Sequence, residues 1–276
     1  MALNQSNSRL PGSRSVLVRL LSIVRRNLLE TTLPIAGLLV LWAGLSLYIN
    51  DPGVLPSPIT TFEQTYVLSV TEDAYGLTAF DHVGITFVRA MVASVVVLVL
   101  SIVLGVLMTV VRPIGDSLVN LLPLGMSIPA VVVILLSLVW FGFDETGLIF
   151  AVIVTATPYG VINMWEGAQD VDVGLLEMAH TFDLSSAAVW RHIYIPHLLP
   201  YLFGSYRYIL GMVWKVTVLG EVFGLSDGLG AMFRTNFQFG NIEIVLGYLM
   251  IFIGIVLLIE YVVLKPLEEY LFRWRI

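Results

Sequence analysis

The sequence has no cysteine and only two lysines, Lys215 and Lys265, among its 276 residues. Without cysteine the chain can form no disulfide, thiolate zinc site or iron–sulfur cluster. Neither lysine follows a glycine-rich loop, so there is no Walker A motif for nucleotide phosphates. Charged residues make up 12% of the chain, against roughly 25% in an average soluble domain. The net charge of −6 argues against nucleic acid as a partner.

Apolar residues are abundant instead. They make up 58% of the chain, and its mean hydropathy is +0.91, which indicates an all-α integral membrane protein. A helix needs roughly 20 residues to cross a hydrocarbon core of about 30 Å. Six apolar stretches come near or above that length, so we predict six transmembrane helices, at residues 33–49, 87–111, 118–140, 148–164, 198–222 and 244–264.

The basic residues predict the orientation of these six spans. Ten of them fall on one side of the membrane, whereas the opposite loops, above all residues 50–85, are acidic. Cytoplasmic loops carry the excess of Lys and Arg, so both termini are predicted to be cytoplasmic. Residues 1–30 are predicted to form a cytoplasmic basic segment, either an amphipathic helix on the inner surface or a disordered tail that only sets topology. The ten residues are Arg9, Arg14, Arg19, Arg25, Arg26, Arg112, Arg191, Lys265, Arg273 and Arg275.

The cytoplasmic loop at residues 165–197 contains a predicted helix–turn–helix. Its first helix has an apolar side made of Leu175, Leu176, Met178, Ala179 and Phe182. Asp183 interrupts it, Ser185 or Ser186 caps a second helix, and that helix is predicted to stop at Pro196. Apolar cytoplasmic surface is typical of a docking site for a soluble partner. The alternative, that the loop packs on its own helix ends, is equally compatible with the composition.

The spacing within this loop resembles a known motif. Glu177-Met178-Ala179, three residues, Asp183, nine residues and Ile193-Tyr194-Ile195-Pro196 resemble the EAA loop of bacterial ABC importer permeases. That pattern has glycine where this chain has Asp183; the position needs a left-handed backbone, which aspartate adopts better than most residues. In the family the loop forms the coupling helices that fit a groove on the ATPase. The resemblance implies coupling roles for Glu177, Met178, Ala179, Asp183, Ile193 and Pro196.

Further residues resemble one subfamily, the nitrate, taurine, sulfonate and bicarbonate permeases. They are Ile128-Pro129, Trp140-Phe141-Gly142, the series Arg207, Trp214 and Glu221, and Gly228-Leu229-Gly230, with Arg89 and Asp172 also in place. The resemblance covers about residues 82–264 within a predicted permease domain of 31–276.

This resemblance implies the transmembrane domain of a type I (MetI-like) ABC importer in the bacterial cytoplasmic membrane. The partners it implies are a second copy of the permease, two ATPase subunits and a periplasmic or lipid-anchored binding protein. The implied cargo is a small organic or inorganic anion. The chain itself would do no bond chemistry and would need no cofactor.

The fifth stretch holds an unusual set of charges. Arg207, Trp214 and Glu221 lie within roughly 40° on a helix, with Gly211 on the same side and Lys215 about 80° from Arg207. Ionisable groups at a membrane centre cost roughly 2.5–3.5 kcal/mol each and usually face a cavity or a partner. We therefore predict that these residues line the pathway or the contact between two permeases. Snorkelling of Arg207 and Glu221 to the interfaces is the alternative. The alternative for Lys215 is an ion pair with an acidic residue on another span.

Two other classes of protein remain as alternatives. An ion-gradient-driven secondary transporter would favour discontinuous helices at two matching positions, which the sequence does not show. A scaffold or membrane enzyme is the other, and an enzyme would need a compact set of catalytic residues at one membrane depth. No metal site is predicted, because the spacings of His180, His192 and His197 fit no standard zinc motif.

Overall fold

The computed structural model describes residues 33–271, so the predicted segment 1–30 lies outside the described residues. The described residues form ten helices and no strand. We number them α1 (Leu33–Ile49), α2 (Pro58–Val70), α3 (Ala79–Val110), α4 (Arg112–Ser127), α5 (Ala130–Phe141), α6 (Glu145–Gln169), α7 (Val173–Thr181), α8 (Ser186–Gly224), α9 (Leu229–Gln238) and α10 (Ile242–Leu271). Helices α8 and α10 each contain a π-helical turn, at Trp190–Tyr194 and Ile259–Leu264.

Three helices are individually long and apolar enough to cross a membrane, namely α3, α6 and α10. Two bent pairs, α4 with α5 and α8 with α9, raise the number to five if each pair counts as one span. The 17-residue α1 matches the first predicted stretch but is shorter than a usual span. Length and composition in residues 33–271 thus give three to five spans, and the count of six stays a prediction.

The predicted third span, 118–140, is wrong as a continuous helix. Helices α4 and α5 meet at an angle of 91° around Ile128 and Pro129. Proline lacks an N–H and forces the preceding residue out of the helical region, and Ile128 has ψ 126°. The Tyr159 hydroxyl donates to the Met126 carbonyl at 3.1 Å, which satisfies one acceptor at the break. Discontinuous helices, which the sequence did not reveal, are therefore present.

Small residues bring α3, α6 and α8 together at the centre of the bundle. Ala90 and Ala93 of α3 and Ala151 of α6 are fully buried in one apolar cluster with side chains of α5 and α8. At Gly160 the contact is closest, since a Cβ there would lie 2.0 Å from the Ser101 hydroxyl oxygen. Close backbone approach through small residues is how membrane helices gain packing energy.

The predicted loop at residues 50–85 contains a helix of its own. Ser57 caps α2 by accepting from the Thr60 amide, and Pro58 occupies its first turn. Helix α2 packs on α10 where Gly247 meets Leu68. The segment at residues 50–85 is thus partly helical and packs against α10.

The predicted helix–turn–helix at 165–197 is present, with one correction. Asp183 has φ +53°, the left-handed conformation expected at the turn, and Ser185 caps the second helix. The helix does not stop at Pro196, however. It passes through the π turn Trp190–Tyr194 and continues to Gly224. A π turn shifts the hydrogen-bond register, so the chain accommodates a proline without an N–H and remains helical.

Candidate functional site

Helix α7 carries an uncovered apolar surface. Met178 is 47% exposed and Phe182 is 72% exposed, and Leu175 beside them is also exposed. Ala179 faces the other way and is buried with Val171 and Ile193. One side of the loop therefore packs on its own helix ends, and the other is uncovered among residues 33–271, while docking of a partner on it stays a prediction.

The other residues predicted to couple the chain to an ATPase lie on or beside this surface. Glu177 is exposed, and the cap of α7 is Asp172, whose side chain accepts from the Gly174 amide at 2.8 Å. The residue that caps α7 is therefore Asp172 and not Glu177. Pro196 is half-buried where the loop becomes the long part of α8. The Glu177 carboxylate has no ion pair in the described part of the chain, so it is free to meet a partner.

The residues predicted to share one functional face of α8 lie in two different environments. Trp214 is buried between the rings of Phe87 and Phe252, at centroid distances of 5.7 and 5.5 Å. Gly211 and Lys215 instead lie on the exposed side of the same helix. The inner side of α8 therefore packs within the subunit, and its outer side is uncovered among residues 33–271.

Arg207 is paired within its own chain. Its guanidinium contacts Glu260 and, at 2.8 Å, Glu268, both on α10. With 37% of its side chain exposed, it lies at the rim of the bundle. The pair ties α8 to the end of α10.

Glu221 is fully buried and forms the centre of an ion cluster. Arg89 of α3, only 4% exposed, donates to the Glu221 carboxylate at 2.9 Å. The same guanidinium reaches Asp227 at 2.7 Å and Glu145 at 3.0 Å. Thr86 donates a further hydrogen bond to Glu221, at 2.9 Å. A buried charge is tolerated only when it is paired and hydrogen-bonded, and here a single arginine joins the ends of α3, α6 and α8.

The start of α9 completes this cluster with backbone groups. The amides of Gly228, Leu229 and Gly230 donate to His82, Thr86 and Glu221 at 3.2, 2.8 and 2.9 Å. These are among the N–H groups that a helix N-terminus leaves without a partner, and the helix dipole there favours a carboxylate. Gly228 has φ +90°, and a Cβ on it would lie 2.4 Å from the Glu221 carboxylate. The glycine is thus required by both conformation and space.

The cluster extends to the loop before α3. His82 accepts from Gly228 through Nδ1 and contacts Asp73 through Nε2 at 3.0 Å, which assigns the ring proton to Nε2. Burial tends to raise the pKa of Asp73. Hydrogen bonds from the Leu77 amide and from His82 outweigh that effect and hold the pKa below its ordinary value.

The sequence analysis placed Glu221 and Arg89 in the same family pattern but did not predict that they form an ion pair. Thr86, Glu145 and Asp227 were missed. The usable signal was the cost of an unpaired charge in a membrane helix, which demands an opposite charge at the same depth. Arg89 and Glu221 are separated by 132 residues, and only the packing of α3 against α8 brings them together.

Comparison with known proteins identifies the chain. Residues 101–273, more than half of it, match the family of binding-protein-dependent transport system inner membrane components, and the chain belongs to that family. It is 27% identical over 241 residues to the aliphatic sulfonates transport permease protein SsuC, named as putative, of Bacillus subtilis, covering 87% of this chain and 85% of that one. It is 28% identical over 231 residues to the nitrate import permease protein NrtB of a Synechocystis strain, covering 80% and 81%.

The fold agrees with this assignment. The chain matches a structure of the methionine ABC transporter MetNI in an inward-facing conformation, with a TM-score of 0.60 and 18% identity, over 69% of this chain and 94% of that one. The described residues therefore have the all-helical, MetI-like fold of type I importers. The chain is a multi-pass protein of the inner membrane and the membrane component of a binding-protein-dependent transport system.

Proposed function

We propose that this chain is the pathway-forming subunit of an ATP-driven importer for small organic or inorganic anions. Two copies form the pathway, two ATPase subunits dock on the loops at residues 165–197, and a binding protein delivers substrate to the opposite face. The permease performs no bond chemistry of its own. Relatives named for sulfonates and nitrate support an anionic substrate.

The observation that carries this proposal is the exposed side of α7. The side chains of Leu175, Met178 and Phe182 are exposed, and Glu177 adds a carboxylate that has no ion pair among residues 33–271. The left-handed turn at Asp183 lets Ala179 of α7 pack against Ile193 of α8, so a movement of α7 is transmitted to a membrane helix. An ion-gradient-driven transporter has no need of such a surface.

We test the coupling role with Glu177→Lys. The substitution reverses a charge on an exposed side chain, so the permease should fold and insert as before. ATP-dependent uptake by proteoliposomes containing the permease, its ATPase and its binding protein should fall at least about tenfold, the equivalent of about 1.4 kcal/mol of coupling.

The matched control is Glu166→Lys, which makes the same charge change on an exposed residue of α6 near the same end. Its uptake should remain near the wild-type rate. Unchanged uptake by Glu177→Lys, with the ATPase still assembled, is the result that rejects the coupling assignment. Uptake by the wild type that persists without ATPase subunits would favour the ion-gradient alternative.

We propose the orientation that the basic residues indicate, with both termini and α7 in the cytoplasm. The buried Arg89 cluster then lies at the periplasmic end, where α3 begins and α8 ends. Substrate enters near this cluster and leaves at the α7 end.

Lys215 is proposed to attract the anion on its way. It lies exposed on α8, two turns from the buried Glu221, which already has Arg89 as a partner in the same chain. That pairing supports the pathway role over an ion pair with Glu221 of a second copy. A lysine charge in a membrane cavity raises the local concentration of anions without binding them tightly.

Lys215→Met is expected to leave the dimer and its thermal stability unchanged and to slow anion uptake about fivefold, since one focusing charge is lost. Lys265→Met removes the only other lysine, on the exposed side of α10, and should have no effect. Loss of assembly would instead assign Lys215 to a structural ion pair, and full activity would remove it from both roles.

A further inference from the structure

A cavity of about 620 Å³ lies between α4, α6 and α8, outside the ion cluster and the coupling loop. Its lining includes Tyr159, Asn163, Gly204, Ser205 and Tyr208. The volume falls within the roughly 300–1,000 Å³ of small-molecule sites. It is a partly open cleft on the half of α8 that is nearer to α7.

Three polar groups of the lining have no hydrogen-bond partner within residues 33–271. They are the Asn163 carboxamide, the Ser205 hydroxyl and the Tyr208 hydroxyl. Ser205 as a whole residue is only 5% exposed, but its hydroxyl is not among the fully buried polar atoms that lack a partner, so it is open to the cleft. Tyr159 differs, because its hydroxyl is committed to the Met126 carbonyl. The uncommitted groups are therefore available to a ligand.

The lining is uncharged and can accommodate an anion. Among residues 33–271 no charged side chain lines the cavity, although the Tyr201 hydroxyl of the lining donates to Asp170. Each uncommitted group can supply an O–H or N–H donor. Neutral donors bind an anion without holding it tightly, which suits a site that must release its ligand. Gly204, Tyr208, Gly211 and Lys215 follow one another along the exposed side of α8. Lys215 lies about 10 Å along the helix from Tyr208, so the cavity continues the path from that cation.

The walls favour a ligand with an apolar body. The rings of Tyr159 and Tyr208 lie 6.0 Å apart, and Ile162 and Pro200 add aliphatic surface. Nitrate or bicarbonate is little larger than one water molecule, whose share of volume is about 30 Å³, so it cannot touch the donors and both walls together. An alkyl or aryl chain on an anionic head would fill this space.

We propose that this cavity is a substrate subsite for organic anions with an apolar body, such as alkyl or aryl sulfonates, and that it disfavours nitrate and bicarbonate. The proposal rests on the proposed function and refines its substrate class. The donors hold the anionic head, and the tyrosine rings hold the body.

The probe is benzophenone-4-sulfonate, a photoreactive aryl sulfonate, applied to the purified full-length permease in lipid nanodiscs without its partners. Illumination should label peptides covering residues 159–163 and 200–208. Gly204→Leu fills the cavity, and no atom lies within 4 Å of its new Cβ, so the fold has room for it. Labelling of these peptides should fall at least about tenfold in that variant.

Gly254→Leu is the matched control, since Gly254 is exposed on α10 and its Cβ would also meet nothing within 4 Å. Its labelling should equal that of the wild type. Excess benzenesulfonate should protect the two peptides, while nitrate and the cation benzylamine should not. Equal labelling of Gly204→Leu and the wild type overturns the site. Protection by nitrate overturns the need for an apolar body, and protection by benzylamine overturns the preference for anions.

The labelling requires neither ATP nor an ATPase, so it separates this proposal from the proposed function. Absence of ATP-dependent uptake by the reconstituted wild type would reject the proposed importer function. The labelling result would still test the cavity independently.

Discussion

The two ends of the bundle are built by opposite principles. At the end that carries α7, apolar side chains and a carboxylate are exposed, and the turn is formed by one strained aspartate. At the other end, Arg89 and Glu221 are withdrawn from solvent and bonded on every side. At the α7 end, exposed apolar and charged groups remain available to a partner. At the other end, the charged groups are paired within the chain. We therefore expect substitutions in the Arg89 cluster to lower stability, and substitutions on the exposed side of α7 to weaken only assembly.

The strongest test of this contrast is Arg89→Met. It leaves the fully buried Glu221 carboxylate without its cation, and breaking a buried pair in this way costs roughly 3–5 kcal/mol. The thermal unfolding of the purified permease, followed by tryptophan fluorescence in detergent, should shift strongly downward. Arg191→Met, at an exposed arginine near α7, should leave the transition unchanged.

The double variant Arg89→Met with Glu221→Leu sharpens the result. It should recover part of the lost stability, because no fully buried charge is left unpaired, and Asp227 and Glu145, which also lose Arg89, are exposed enough to be hydrated. Recovery should be incomplete, since the Gly230 amide then loses its acceptor. A double variant less stable than Arg89→Met would show that the two residues do not act as a pair.

A smaller effect is expected from Gly228→Ala compared with Gly240→Ala. Both glycines have positive φ, +90° and +74°, so both substitutions carry backbone strain of roughly 1–3 kcal/mol. Only at Gly228 would the new Cβ also collide with Glu221 and Arg89. Gly228→Ala should therefore lower the unfolding temperature further than Gly240→Ala. Equal shifts in the unfolding temperature would mean that the residues around Gly228 rearrange easily to make room for the new Cβ.

The smallest effect belongs to the α7 end. Asp183→Gly removes a non-glycine residue from φ +53° and should stabilise the chain by about 1 kcal/mol at most, because glycine tolerates this conformation. Asn50→Gly relieves a similar strain at φ +50° outside the loop and should behave alike. Denaturant titration in mixed micelles measures both. A clear loss of stability in Asp183→Gly alone would give the aspartate side chain a structural role in the loop.

The turn in the loop at residues 165–197 could be predicted from the sequence because its determinants are local. Asp183 at the turn and Ser185 at the cap act through the backbone within a few residues, and both were predicted. The continuation of the helix through Pro196 was missed because the π turn before it leaves no clear composition signal. The bend at Pro129 was missed for a related reason: a proline in an apolar run can kink a helix slightly or break it by 91°, and the neighbouring packing decides which.

By itself, the sequence determined that the chain is an all-helical membrane protein with an α7 turn and an EAA-like spacing, because hydropathy and capping act over a few residues. Only the tertiary structure decided which charges meet. Arg89 and Glu221 come from helices far apart in sequence, and Trp214 and Lys215 are adjacent yet face opposite environments. Helical periodicity gives the relative directions of side chains, but it does not say which direction faces the interior. That choice depends on how α3, α6, α8 and α10 pack, and so on contacts between distant residues.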